Sequence, residues 1–118
     1  MLEHAGEWTL IDPGLHTEEA IAAWKEALGE LGVGWSDIGA IVLTHHHPDH
    51  CGLAGWFQER TGVDVRMSDA ALRLSERLWG EGETFSGELT EALRANGLPA
   101  ELAEPMRGHL TSFAARVS

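Results

Sequence analysis

Residues 38–43 read Ile-Gly-Ala-Ile-Val-Leu, an apolar run in which no polar residue alternates. A strand with one wet face alternates, whereas a strand covered on both faces reads as a continuous apolar run, the habit of parallel sheets in α/β proteins. The neighbouring segments supply the rest of such a fold. Glu7 to Asp12 predicts a strand, and Thr17 offers an N-cap before Glu18 and Glu19, whose charges suit the positive end of a helix. Ile21, Trp24, Leu28 and Leu31 fall on one face of that helix, and Gly32 fits its C-terminal stop. The apolar strand extends to Thr44. A helix then opens at Asp49 or His50, with Leu53, Trp56 and Phe57 inward and Gly62 at its end. Val63 to Met67 predicts a short third strand, and Ser68 caps a helix running to about Trp79.

This βαβαβα order implies parallel strands joined by right-handed crossovers, with their helices on one face and every strand-to-helix loop on one edge. Asp12 to His16, the turn after Thr44 and Ser68-Asp69 are therefore expected to line one crevice at the carboxyl ends of the strands, where open α/β sheets bind ligands. Further on, Gly80-Glu81-Gly82-Glu83 reads as a turn, Glu88 to Ala95 as a helix stopped by Gly97, and Pro99 to Arg107 as another. The expectation is a single domain over residues 1–118, an α/β core at 1–79 followed by a helical segment at 80–118.

The turn itself carries the chemistry. Thr44-His45-His46-His47-Pro48-Asp49-His50 holds five potential metal ligands in six positions. In extended chain, side chains two apart point the same way, so His45 and His47 can reach one cation at the roughly 2.0 to 2.1 Å typical of zinc. Pro48 turns the chain, and Asp49 and His50 can reach a second cation beside the first. Imidazole with carboxylate suits zinc, and also iron or manganese. A solvated histidine run of the tag kind would be terminal and would not interleave Pro and Asp behind an apolar strand.

His45-x-His47-x-Asp49-His50, preceded by Ile-Val-Leu-Thr and followed by Cys51-Gly52-Leu53-Ala54-Gly55, resembles the HxHxDH motif of metallo-β-lactamase-fold hydrolases. Upstream, Trp8-Thr9-Leu10-Ile11-Asp12-Pro13-Gly14 resembles the earlier strand of that family, which ends in Asp-x-Gly. The resemblance covers about residues 7 to 70. It implies that His45 and His47 bind a first metal, that Asp49 and His50 bind a second, and that Asp12 supports them from behind. It also implies two Zn2+ per complete site and half of an αββα sandwich, because the family takes its remaining ligands from the other half: a later His, a bridging carboxylate and a final His. On this reading the site is half built. His109, in Gly108-His109-Leu110-Thr111, and His16 are the candidates for a missing ligand, against a plain surface or structural role. His4 reads as terminal and without a role.

The chemistry of a complete site is hydrolysis. A metal pair lowers the pKa of bound water to about 7 and polarises the scissile carbonyl. Asp49 then serves both as ligand and as the catalytic group that orients the hydroxide, and Ser68 and Ser36 show no adjacent base for a serine mechanism. The substrates implied by the resemblance are small-molecule thioesters, esters or lactones. One rival within the superfamily is a single-iron persulfide dioxygenase. The other is a non-enzymatic metal-binding half-domain that pairs with another chain.

A net charge of −11 with eight basic residues argues against nucleic acid, whose phosphates require a Lys/Arg surface. No apolar run approaches the roughly 18 residues of a membrane span, and the N-terminus lacks a signal-peptide pattern. The single cysteine, Cys51, excludes an internal disulfide; with these it points to a cytoplasmic protein, and its place at a helix start points to packing more than to metal. Trp79, at a helix end, packs or caps a substrate cleft. The sheet face away from the helices is expected to be bare, and so to drive homo-oligomerisation or to await a C-terminal half.

Overall fold

The computed structural model describes residues 1–79 and 84–117, with the side chains of all of these except Thr84 and Ala115. The turn expected at Gly80 to Glu83 lies outside the described residues. Four strands form one sheet in the order β1-β2-β3-β4. They are β1 (Leu2–His4), β2 (Glu7–Ile11), β3 (Ile38–Val42) and β4 (Val65–Arg66). β2 pairs parallel with β3, and β3 parallel with β4, as the sequence requires.

Strand β1 is an addition to that expectation. It pairs antiparallel with β2 through a two-residue turn at Ala5 and Gly6, both at positive φ, 55° and 87°. Positive φ at both turn positions matches the right-handed twist of a hairpin. His4 is therefore a strand residue facing Glu7 across the ladder.

Helix α1 (Glu18–Leu31) starts where Thr17 accepts the amide of Ala20 and stops at Gly32, whose φ of 66° is the left-handed conformation glycine tolerates. The next expected helix is two pieces. A single turn, α2 (Pro48–Cys51), has Pro48 at its first position; α3 (Ala54–Thr61) follows after Gly52-Leu53 and ends at Gly62. Helices α4 (Asp69–Trp79), α5 (Thr84–Ala95) and α6 (Ala100–Ser112) complete the chain before a 3-10 turn at Ala114–Arg116. α5 starts four residues before the expected Glu88. α6 runs beyond Arg107 with Pro105 inside it. Among the described residues no helix is long and apolar enough to cross a membrane.

The core lies on one face of the sheet. Leu10, Ile38, Ile41, Leu53 and Phe57 are fully buried, and Trp24 of α1 meets Phe57 of α3 edge to face at 5.1 Å. That contact places both crossover helices on the same side. Along the ladder, Leu10 pairs with Ile41 and Ile41 with Val65 on this covered side. Their neighbours Ile11 and Val42 point to the opposite face, where Ile11 is 37% and Leu2 61% exposed. The unbroken apolar pattern of residues 38–43 thus describes a strand of which this chain covers one side.

Candidate metal centre

Three chain segments converge at the carboxyl edge of the sheet. β2 ends with the Asp12 amide donating to Val42 O at 3.0 Å; Asp12 then turns the chain at φ 47°, a conformation Asp tolerates better than most residues. Its carboxylate points back across the sheet edge. Oδ1 accepts the Thr44 amide at 2.8 Å, while Oδ2 accepts the Thr44 hydroxyl at 2.5 Å and faces His50 Nδ1 at 3.0 Å. One side chain therefore ties the end of β2 to the end of β3 and to the start of α2.

These contacts fix protons. An ionised carboxylate only accepts, so His50 carries its proton on Nδ1 and leaves the Nε2 lone pair free. Thr44 spends its one hydroxyl proton on Asp12, so the 2.9 Å contact with His45 Nδ1 makes that nitrogen the donor and leaves His45 Nε2 free as well. Burial works against ionisation of Asp12, but the Thr44 hydroxyl, the Thr44 amide and His50 together outweigh it and hold the carboxyl below its usual range.

Asp12, His45 and His50 each offer a donor atom within 4.8 Å of the others, a group able to hold a metal ion. The remaining motif residues stand at its lip. The His47 ring lies 4.7 Å from that of His45, and Asp49 Oδ2 lies 3.6 Å from His50 Nε2; both side chains are exposed. His45 and His50 rings are 4.0 Å apart. Sequence spacing identified His45 and His50, and the resemblance identified Asp12, but neither showed that Asp12 would touch Thr44 and His50 directly.

The candidate extra ligands lie outside this group. His109 sits in the last turn of α6, edge to face with Phe113 at 5.0 Å, where the expected likeness needs a strand. His16 precedes α1, and its amide donates to Arg116 O at 3.2 Å. Cys51 is buried, and its thiol donates to His46 O at 3.2 Å. Burial first, then Asp12 and Asp49, push its pKa up, away from the thiolate a ligand or nucleophile needs. Ser68 Oγ accepts the Ala71 amide and serves as a helix cap.

His46 is not one of the grouped donors. Burial, then His47 and His45, lower its pKa, so its ring is neutral at neutral pH. Its carbonyl accepts the Trp79 indole N–H at 2.6 Å, which docks the end of α4 onto the histidine turn. Beside that bond opens a cavity of about 310 Å³, with Trp79 in its wall. Trp79 therefore packs on the histidine turn and also lines this space. Ser68 and Asp69 do not line this cavity, because α4 and α6 bring their C-terminal ends to it instead.

Residues 1–113 match the metallo-beta-lactamase superfamily. The chain is 49% identical over 55 residues to the probable metallo-hydrolase YqjP of Bacillus subtilis (strain 168), a match that takes in 47% of this chain and 17% of that protein. It is also similar to the crystal structure of a metallo-beta-lactamase family protein from Thermus thermophilus, at 38% identity and a TM-score of 0.74 over 98% of this chain and 36% of that one. The chain thus spans about a third of the length of the solved relative. With the parallel pairing of β2, β3 and β4, the histidine turn at their carboxyl edge and the Asp12 clamp, these matches mean that the chain belongs to the metallo-beta-lactamase superfamily.

Proposed function

We propose that this chain contributes the first half of the metal site of a hydrolase acting on a small-molecule thioester, ester or lactone. His45 and His47 would hold one cation and Asp49 and His50 a second, with zinc first and iron or manganese as alternatives. The observation that carries the reading is the Asp12 clamp, because it leaves His45 and His50 with free Nε2 lone pairs, that of His50 facing the Asp49 carboxylate. A tetrahedral ion about 2.1 Å from each donor spaces its ligand atoms by about 3.4 Å, and Asp49 Oδ2 and His50 Nε2 are 3.6 Å apart. Asp12, with three of its lone-pair directions already taken by Thr44 and His50, orients these ligands better than it would bind metal.

When bound, such a cation supplies Lewis acidity and brings coordinated water within reach of ionisation near neutral pH. Asp12 holds the proton of His50 on Nδ1, and Thr44 passes the same constraint to His45. The other oxygen of the exposed Asp49 carboxylate, Oδ1, can accept a proton from attacking water. Since His16 and His109 lie outside the ligand group, the 118 residues alone are expected to bind metal and to turn over thioesters and lactones very slowly.

Elemental analysis after mild purification, compared between the chain and a His45→Ala/His47→Ala double variant, tests the assignment. Equal metal content in the two proteins would remove the motif from the site. Fast metal-dependent turnover by the chain alone would show that a ligand is recruited from elsewhere, His109 or His16 first.

A further inference from the structure

The cavity beside the histidine turn is open to solvent but mostly apolar in its lining. Pro48, Leu78, Trp79, Leu110 and Phe113 line it from three different elements, and its polar groups, His46, His47 and Asp49, come from one side only. Its walls are braced. The Trp79 indole N–H is already satisfied by His46 O at 2.6 Å, so the ring has only apolar surface left to offer, and Phe113 meets His109 edge to face at 5.0 Å. The volume, about 310 Å³, reaches the lower end of small-molecule sites.

Resting on the hydrolase reading above, we infer that this cavity seats the hydrocarbon chain of the substrate, so that the preferred substrates carry a medium-length acyl or alkyl group. The polarity of the lining sets the direction. The reacting carbonyl lies toward His47 and Asp49, which share the cavity wall with the metal motif, and the chain runs between Leu78, Trp79, Leu110 and Phe113. A two-carbon acyl group would leave this apolar space to water. A longer one removes that water and gains with each methylene.

The test uses neutral, slowly hydrolysed N-methyl amides of four, six and eight carbons, titrated into the 118-residue chain with and without zinc. The readout is the Trp79 indole N–H resonance, assigned by its loss in Trp79→Phe. The expected result is a shift of that resonance with Kd falling about fourfold per added methylene until the cavity is full, as burial of one methylene implies. Leu110→Trp, which fills the cavity, should weaken the longest amide at least tenfold with zinc binding unchanged. Should that variant misfold, Leu110→Ala should move the preference to longer chains. Binding independent of chain length, or a chain-length gain that survives in folded Leu110→Trp, overturns the assignment. Zinc binding with a flat amide series rejects the cavity alone, whereas a steep series with no zinc bound through His45 and His47 supports the cavity and rejects the metal reading.

Discussion

Replacing Asp12 by Asn perturbs the node on which the candidate centre depends and changes little else. Asn accepts the φ of 47° and keeps one oxygen for the Thr44 amide, but its NH2 would face the Thr44 hydroxyl and His50 Nδ1, both of which now donate. Two of three hydrogen bonds to a carboxylate are lost. Such bonds contribute about 1.5–3 kcal/mol each when buried. The Asp12 side chain is 17% exposed and Thr44 lies at the surface, so the low end applies, about 2–3 kcal/mol in all. Asp12→Ala should lose about 4 kcal/mol, since it also removes the bond to the Thr44 amide and puts a side chain less tolerant than Asp in the left-handed region. Zinc affinity should fall about 10–100-fold in the Asn variant as His50 loses its orienting partner.

The pH dependence follows from the lowered pKa of Asp12. The unfolded chain binds this proton more readily than the native one. The stabilisation is therefore complete above the ordinary carboxylate value of about 4 and is lost as pH falls through the lower native value. Urea unfolding followed by tryptophan fluorescence, at pH 7 and in steps toward pH 3, should show the gap between wild type and Asp12→Asn closing on acidification. A competing chelator gives the zinc affinity. If the Asn variant lies within about 0.5 kcal/mol of wild type at pH 7 and binds zinc equally well, the clamp is incidental and the reasoning fails.

Phe57→Ala empties a fully buried site packed by Trp24 at 5.1 Å and Trp56 at 4.9 Å, so unfolding free energy should drop by about 3–5 kcal/mol in a urea titration. Gly52→Ala would bring a Cβ closer than 3.0 Å to Arg116 O, Pro48 O and His16 N, all backbone, and should destabilise by about 2–3 kcal/mol; hydrogen exchange should show residues 114–117 opening first. The bare sheet face, with Leu2 61% and Ile11 37% exposed, should pair two copies of the chain. Light scattering at micromolar concentration should give a dimer mass that Ile11→Lys with Val42→Lys reduces to a monomer; a monomeric wild type would refute the pairing.

Local signals were legible wherever one residue type satisfies one local need. Thr17 as N-cap, Gly32 and Gly62 as left-handed stops and the apolar strand 38–42 stand where the sequence places them. The β1 hairpin was missed because Ala at a positive-φ turn position is not a turn signal and a three-residue exposed strand leaves no periodicity. The break between α2 and α3 was missed for another reason. It lies where Gly52 lets the backbone of residues 16 and 116 come close, a contact between distant parts of the chain.

By itself, the sequence determined the parallel strand order, the position of the ligand-bearing turn at the carboxyl edge and the residue types able to bind metal, since periodicity, caps and ligand chemistry are properties of short segments. Only the tertiary structure decided which side chains meet. Asp12 lies 32 residues from Thr44 and 38 from His50, and Trp79 lies 33 from the carbonyl it docks on. Contacts at such separations depend on the sheet register and helix packing of the whole fold, which fix the tautomers of His45 and His50 and line an open apolar cavity beside them.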